Sequence, residues 1–522
     1  MEVMLERWRN TLRRDGVVKS VLRFLLVYAA ASGVALLSGI ISASGRIELV
    51  ALFTGVILAA AVMTSQRTLF WFVIVGGLVI TGVAQLYLPG ARHIRYLVPL
   101  AAAGLILHGI MARLTAEYAE SFQHKIPSLL QWALAFLILG LASLLINWDG
   151  IGVAINGLKG YFQAWPLLLG MVMIRWYKQF IDMMPKLILA IAFIQIPFVL
   201  HQYLFLVPMR IGLGDQIVPV DVVAGTFGAT LYGGGANAVL TAFLMLIIAC
   251  LLGLWKRGVL SRSTTIILCL FFLSPVFVNQ TKIAALYLPI VYIVLFYKDL
   301  IAHPLRVIGT GLALAGLMAG LLTALTLGQP SGKLETWSDL VEFTVERQTA
   351  SVSERRGQYS ELSRWTALTF WFNEHLDENP VNTLIGHGLG SSRVQESGLN
   401  LAETLAEKRY GGLQIGYTAV SSLLWDTGVL GLIVTLGMFY SAFRLAGQLS
   451  DYFRNRDPVR SGICEGLKAA ICVLALSLAH KDFYVTNIPY QTMVLMIFGY
   501  LSVNAMEISR GHYETNRTLH HQ

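Results

Sequence analysis

Apolar runs long enough to cross a bilayer recur from residue 21 to residue 506, and this pattern constrains the fold more than any other feature. The runs fall near 21–44, 48–64, 68–89, 96–112, 127–147, 158–174, 184–207, 236–255, 263–280, 283–298, 305–327, 416–442, 462–480 and 486–506. A helix needs about 20 mostly apolar residues to cross the hydrocarbon core. In that core every backbone N–H and C=O must be satisfied within the segment, which makes helices of such runs. Only 13% of the 522 residues are charged, about half the share of a soluble domain. The predicted fold class is an all-α polytopic membrane protein of about 14 transmembrane helices.

One long segment breaks the pattern. Residues 328–415 hold 20 of the 69 charged residues, twelve acids and eight bases. The expected organisation is an amphipathic cytoplasmic N-terminus over 1–20 and a transmembrane bundle of about 11 helices over 21–327, with an irregular outer loop at 208–235. The large loop 328–415, the C-terminal spans 416–506 and a cytoplasmic tail 507–522 follow. Within the large loop, 334–347, 359–378 and 399–409 are candidate helices, and Gly386–Gly390 is a turn. Met1–Ser20 carries five basic residues and runs into an apolar stretch too long for a signal-peptide core, so no cleavable signal is expected.

Lysine and arginine placement orients the spans. With the N-terminus in the cytoplasm, 24 basic residues outside the large loop fall on the cytoplasmic side. Seven fall opposite: Arg46, Arg92, Arg95, Lys159, Arg210, Lys282 and Lys481. Both termini are then cytoplasmic, and the large loop is not. The net charge of +9 is accounted for by topology, so nucleic acid is not an expected partner. Cys250, Cys269, Cys464 and Cys472 lie in or beside apolar segments with no metal-ligand or disulfide spacing, and read as small buried residues.

The candidate functional residues lie on the outer side. Arg355, Arg356, Arg364 and Arg393 make an acidic loop rich in guanidinium groups, which bind phosphate oxygens in a fixed fork. The competing reading pairs them with Glu354, Glu361 and Glu374 as surface ion pairs. Gly386-His387-Gly388-Leu389-Gly390 follows no strand, so it is read as a tight turn rather than a nucleotide loop. His387 is a candidate general base, against a solvent-exposed turn histidine; His375 is open to the same two readings. Gly225–Gly228 and Gly233–Asn237 precede a span and are either an anion-binding helix start or a re-entrant loop. Arg210 and Asp215 share that loop. Asn279-Gln280-Thr281-Lys282 is a polar break between two spans, where Lys282 either serves a site or reaches for the headgroups. His480-Lys481-Asp482 joins the last two spans as a turn. Asp426, near the outer end of its span, is the one acid placed to activate a hydroxyl, against an interfacial residue.

Ser363-Arg364-Trp365, Asn379-Pro380 and the Gly386–Gly390 turn, in that order, resemble the outer loop of the O-antigen ligase and Wzy-type polysaccharide polymerase superfamily. Leu423–Leu432, with Asp426-Thr427-Gly428-Val429-Leu430-Gly431 at its centre, resembles the family's acidic-x-Gly-x-x-Gly helix. Gln280-Thr281-Lys282, and the Arg210 loop with Asn237, resemble earlier family motifs. Tyr417 and Thr418 stand where ligases carry a His-Asn pair, which favours the exopolysaccharide polymerase-like branch. The resemblance implies a metal-independent glycosyltransferase of the bacterial inner membrane that uses no cofactor. It would polymerise polyprenyl-diphosphate-linked oligosaccharide repeats into a surface or exopolysaccharide on the periplasmic face. Expected partners are the lipid-linked donor, a glycan acceptor, the bilayer and other polysaccharide assembly proteins. Arg364, Arg210, Lys282 and Arg356 would bind the diphosphate, and His387 or Asp426 would assist the attacking hydroxyl. The alternatives are an O-antigen ligase delivering a finished glycan to a lipid acceptor, and a glycan or lipid transporter.

Overall fold

The computed structural model describes residues 65–88, 94–114, 126–211, 213, 218–231, 236–303, single positions between 305 and 320, 353–354, 360–375, 380–394 and 403–520. The chain divides into units 1–69 and 70–522, and the contacts below all lie within the second. The described residues are all-helical in their regular structure apart from two two-residue strands paired antiparallel, Ser353–Glu354 with Ser360–Glu361. Its long helices are α1 (Gln66–Tyr87), α2 (Ile94–Leu114), α3 (Ser128–Ile146), a shorter pair α4 (Ile151–Phe162) and α5 (Trp165–Met173), then α6 (Lys178–Ile211), α7 (Asn237–Lys256), α8 (Arg262–Asn279) and α9 (Ala284–Ala302). The large loop contributes α10 (Arg364–His375), α11 (Pro380–Ile385) and α12 (Leu405–Lys408). The chain continues as α13 (Ala419–Phe453), α14 (Pro458–Ser477), α15 (Phe483–Thr486) and α16 (Ile488–His520).

Nine helices among the described residues are long and apolar enough to cross a membrane. They match nine of the fourteen expected runs. The runs 21–44 and 48–64, and most of 305–327, lie outside the described residues, as does the candidate helix 334–347. Run 158–174 divides instead into α4 and α5. The junction is at Gln163–Ala164, and Pro166 occupies the first turn of α5, where a missing N–H costs nothing. Run 462–480 forms α14, which carries Arg460, Glu465 and Lys468 and is correspondingly less apolar.

α7 is the core of the bundle, buried along most of its length, with α14, α8, α9 and α6 packed around it. α14 crosses it on glycines: a Cβ on Gly466 would lie 2.4 Å from Cys250 Cα, and one on Gly253 would lie 2.2 Å from the Gly462 carbonyl oxygen. Small residues let helices in lipid approach to backbone distance, where dispersion contacts are densest. Gly466→Leu should therefore separate the two helices. The expected result is a lower melting temperature in detergent, from overpacking worth about 1–3 kcal/mol or more. An unchanged melt would show that the crossing tolerates a wider gap.

Among the described residues, the ion pairs join segments that the charge count puts on the same side. At one end Glu465 pairs with Lys256 at 3.0 Å and Arg257 at 2.9 Å, and Arg460 pairs with Asp182 at 2.8 Å and Glu507 at 3.1 Å. At the other, Lys159 donates to the Tyr96 hydroxyl at 3.0 Å, Lys408 pairs with Asp149 at 2.9 Å, and Arg393 pairs with Asp482. The described part of the large loop folds onto the start of α13 through an apolar cluster that includes Leu362, Trp371, Ile415 and Trp425.

Candidate functional site

The Gly386–Gly390 turn is locked into a break in α13. Gly428 has φ 67° and ψ −170°, so the helix is interrupted between Asp426 and Val429. A Cβ at this position would lie 2.3 Å from the Leu384 carbonyl, so both the backbone angle and the approach of α11 require glycine. The carbonyls just before the break accept bonds from outside the helix. Trp425 O accepts from His387 N–H at 2.8 Å, and Asp426 O accepts from Gly388 N–H at 3.2 Å and Ser143 Oγ at 2.7 Å. Broken helices are tolerated at membrane depth where such partners are supplied.

The Asp426 side chain, fully buried, completes the lock. Its carboxylate accepts from Tyr161 Oη at 2.9 Å, Gly390 N–H at 3.1 Å, Ser391 Oγ at 2.9 Å and Ser392 N–H at 2.8 Å. These four donors use the acceptor capacity of both oxygens. The amides of Gly386, His387, Gly388 and Gly390 are all taken up by carbonyls or by this carboxylate, which agrees with a backbone turn rather than a nucleotide loop.

His387 sits in an aromatic box with Trp371, His375 and Trp425. His375 Nδ1 lies 2.9 Å from the Trp371 carbonyl and so carries a hydrogen. Its Nε2, when the ring is neutral, is then the acceptor for His387 Nε2–H at 3.2 Å. Both histidines are buried, in place of the solvent-exposed turn position that was the alternative for each.

A second group gathers around Arg364, the first residue of α10. Its Nε–H donates to the His480 carbonyl at 2.7 Å, which ties the loop to the turn between α14 and α15. Its guanidinium carbon lies 5.9 Å from the Tyr417 ring centre, and Lys481 Nζ approaches the same ring at 5.9 Å. The Ala419 and Val420 amides, in the first turn of α13, bond to the carbonyls of Lys481 and Leu478. The start of α13 and the 478–481 turn are thus one rigid platform. His480 is half-buried in it. Burial first, then the charges of Arg364 and Lys481, push its imidazole pKa down to about 3, so it is neutral at neutral pH.

No family model matches this chain, and no curated protein matches it significantly. The chemistry is therefore read from the geometry. Arg210, 1% exposed, lies within the field of Asp221. Asp221 Oδ1 accepts from Asn237 Nδ2 at 3.3 Å, and the Asn237 carbonyl accepts from Asn279 Nδ2 at 3.3 Å. Asn279 Oδ1 in turn accepts from the Thr281 amide at 3.1 Å. Three motifs far apart in sequence thus form one polar chain that ends beside Lys282. Gln280 adopts the left-handed conformation at this break, with φ 51°.

The structure bears on one of the two readings of the Gly225–Gly228 segment. The amides of Ala224 and Gly225 bond to Gln202 Oε1, and that of Thr226 bonds to Gln195 Oε1. These amides are buried and occupied by glutamines, so the anion-binding reading does not apply to them. Gly233–Gly235 and Asp215 lie outside the described residues, as do Arg355 and Arg356. Arg393 is engaged by Asp482, and Glu374 by Arg409 and Tyr410.

Sequence reasoning therefore placed Arg364, Arg210, Lys282, His387 and Asp426 on the outer side, and the structure assembles them into three groups: the turn lock, the Arg364 platform and the Arg210 chain. It missed Tyr161, Ser391 and Ser392 as partners of Asp426, and the His480 carbonyl and Tyr417 as partners of Arg364. Ser391 and Ser392 follow the glycine turn directly, and a hydroxyl pair beside a glycine-rich turn was the available signal.

Proposed function

We propose that this protein is an inner-membrane glycosyltransferase that polymerises polyprenyl-diphosphate-linked oligosaccharide repeats on the periplasmic face. The observation that carries this reading is the Arg364 platform. Two cations, Arg364 of α10 and Lys481 of a turn braced by the first residues of α13, each lie 5.9 Å from the centre of the Tyr417 ring. The bond from Nε fixes the plane of the Arg364 guanidinium, and arginine suits a diphosphate beside lipid. The Arg210 chain and Lys282 lie on the same expected side and add to that field.

The reaction asks little more of the protein. The acceptor hydroxyl attacks the anomeric carbon, and the bond to the diphosphate breaks. The leaving oxygen takes the electron pair, and fixed positive groups stabilise its developing charge. Tyr417, where ligases carry histidine, favours repeated polymerisation over a single ligation. Asp426 and His387 serve here by holding the turn against α13 rather than by moving protons.

Purified full-length protein, supplied with lipid-linked repeats extracted from a strain that lacks its gene, should yield a ladder of lipid-linked chains. Arg210→Ala should shorten the ladder and lower its yield at least tenfold, a loss of about 1.4 kcal/mol in the transition state. A single transferred glycan would indicate a ligase. Counterflow of the donor across proteoliposomes without any new glycosidic bond would indicate a transporter.

A further inference from the structure

α10 is apolar on two opposite faces, and α13 covers one of them. Ala367, Trp371 and His375 recur at every fourth residue and pack against the start of α13 through Trp425. Trp365 and Phe372, seven residues apart, lie on the other side and are 62% and 59% exposed. A surface helix ordinarily carries polar residues on its outer face, and one that is apolar all round is buried all round. α11 has the same character. It carries no charged residue, none of its side chains is buried, and Val381 and Leu384 on one face are exposed. The acid of α10, Glu374, is turned to Arg409 and Tyr410.

Hydrogen bonds set the depth of these segments. Ser143 Oγ, in the last turn of α3, donates to the Asp426 carbonyl at 2.7 Å, and Asn147 Nδ2, just beyond it, donates to the Gly386 carbonyl at 3.0 Å. Gly386 follows α11 directly, so α11 is level with the end of a span. The side chains near that level, Leu145 and Ile146 of α3 and Leu430 and Ile433 of α13, are apolar and exposed, as the lipid-facing residues of a span are. The Leu384 backbone meets Gly428, so the exposed face of α11 continues that of α13. α10 links this level to the outer turn: His375 lies 4.8 Å from Trp425, ring to ring, while Arg364 meets the His480 carbonyl. Seven residues of helix span about 10 Å, so Phe372 stands nearer the break and Trp365 nearer the turn.

We propose that α10 and α11 lie in the lipid leaflet on their own side of the membrane, the outer one by charge placement. Trp365 sits among the headgroups, and Phe372, Val381 and Leu384 sit in the upper acyl region. The partner is the lipid surface, because the exposed face is apolar, uncharged and continuous with a span. Its tryptophan stands at the end nearer water, where indole rings are favoured. An apolar helix face enters a bilayer by about 5–10 Å, which suits the depth that the bonds to α3 impose. The part of the large loop that carries Arg364 is therefore a membrane-held element rather than an aqueous domain. This inference stands without the glycosyltransferase reading. Under that reading, it brings the Arg364 cation to the layer in which a lipid-linked diphosphate resides.

Two measurements on the full chain in lipid nanodiscs test this. In the first, the native protein is illuminated in phosphatidylglycerol that carries a diazirine on its acyl chain, then digested. Peptides with Phe372 and Leu384 should carry label within about threefold of the peptide with Leu145 and Ile146, as equal burial in lipid requires. Label on the α3 peptide with none on α10 or α11 overturns the proposal, and this arm needs no variant. In the second, single nitroxides are placed by Trp365→Cys, Phe372→Cys and Leu384→Cys in a chain whose four cysteines are replaced and whose melt matches wild type. Glu403→Cys, at an exposed acid before α12, is the water reference. The ratio of oxygen to nickel-chelate collision rates should rise in the order 365, 372, 384. At 384 it should exceed the water reference by about tenfold, since oxygen concentrates where the chelate is excluded by the hydrocarbon. Ratios equal to the reference at all three positions overturn the proposal, because water then bathes the face. Low collision rates with both reagents overturn it equally, because a second copy or another protein then covers the face.

Discussion

Asp426→Ala should leave little folded protein in the membrane. The substitution removes one acceptor group and strands four buried donors, Tyr161 Oη, Gly390 N–H, Ser391 Oγ and Ser392 N–H. Each stranded donor costs about 1–3 kcal/mol, and the sum approaches the whole stability of an ordinary domain. The damage is not local, since these bonds connect α4, the glycine turn and the break in α13. The measurement is yield and thermal melting in detergent, followed by size exclusion. Asp426→Asn keeps one carbonyl oxygen for Ser391 and Ser392 but turns an NH2 toward the Gly390 amide, so it should fall between alanine and wild type. Tyr161→Phe removes one donor rather than the acceptor and should cost only about 1 kcal/mol. An alanine variant that melts with wild type would show that Asp426 does not hold the turn. That result would return it to the candidates for hydroxyl activation.

The bilayer makes part of this fold legible and hides the rest. Nine runs became the expected helices because length and apolarity are imposed residue by residue by the hydrocarbon. The break at Gln163–Ala164 did not show, and Pro166 alone could not have revealed it, since Pro185 and Pro197 sit inside α6 without ending it. The glycine turn was legible because its spacing is local. The role of Asp426 was not, because its Tyr161 partner lies 265 positions away and a lone acid near a span end looks interfacial. Arg364 was singled out from its motif. The features that give it a direction, the His480 carbonyl 116 positions away and the second cation on Lys481, depend on how α14 returns beside α13. No local pattern encodes that.

Arg364→Ala should abolish polymer formation while leaving the fold intact. The residue is half-buried at the first turn of α10, so truncation removes contacts such as the bond to the His480 carbonyl but opens no large core cavity. Melting in detergent should fall by no more than the equivalent of about 1–2 kcal/mol. Activity should fall far more. A preorganised donor aimed at a developing anion contributes about 2.7–4 kcal/mol, or 10²–10³-fold in rate, and the guanidinium is the more directional of the two cations on this platform. Arg364→Lys separates charge from geometry. It keeps the positive charge but loses both the fork and the Nε anchor, so it should recover binding of undecaprenyl diphosphate and little of the rate. Lys481→Ala should weaken binding with a smaller effect on kcat, because an ammonium acts as a point charge on ground state and transition state alike. The ordering of the three variants carries the argument. If Arg364→Lys matches wild type in rate, orientation is irrelevant and the platform is only a charged surface. If Arg364→Ala remains fully active, the diphosphate is held elsewhere, and the chain from Arg210 through Asn237 to Lys282 becomes the place to look.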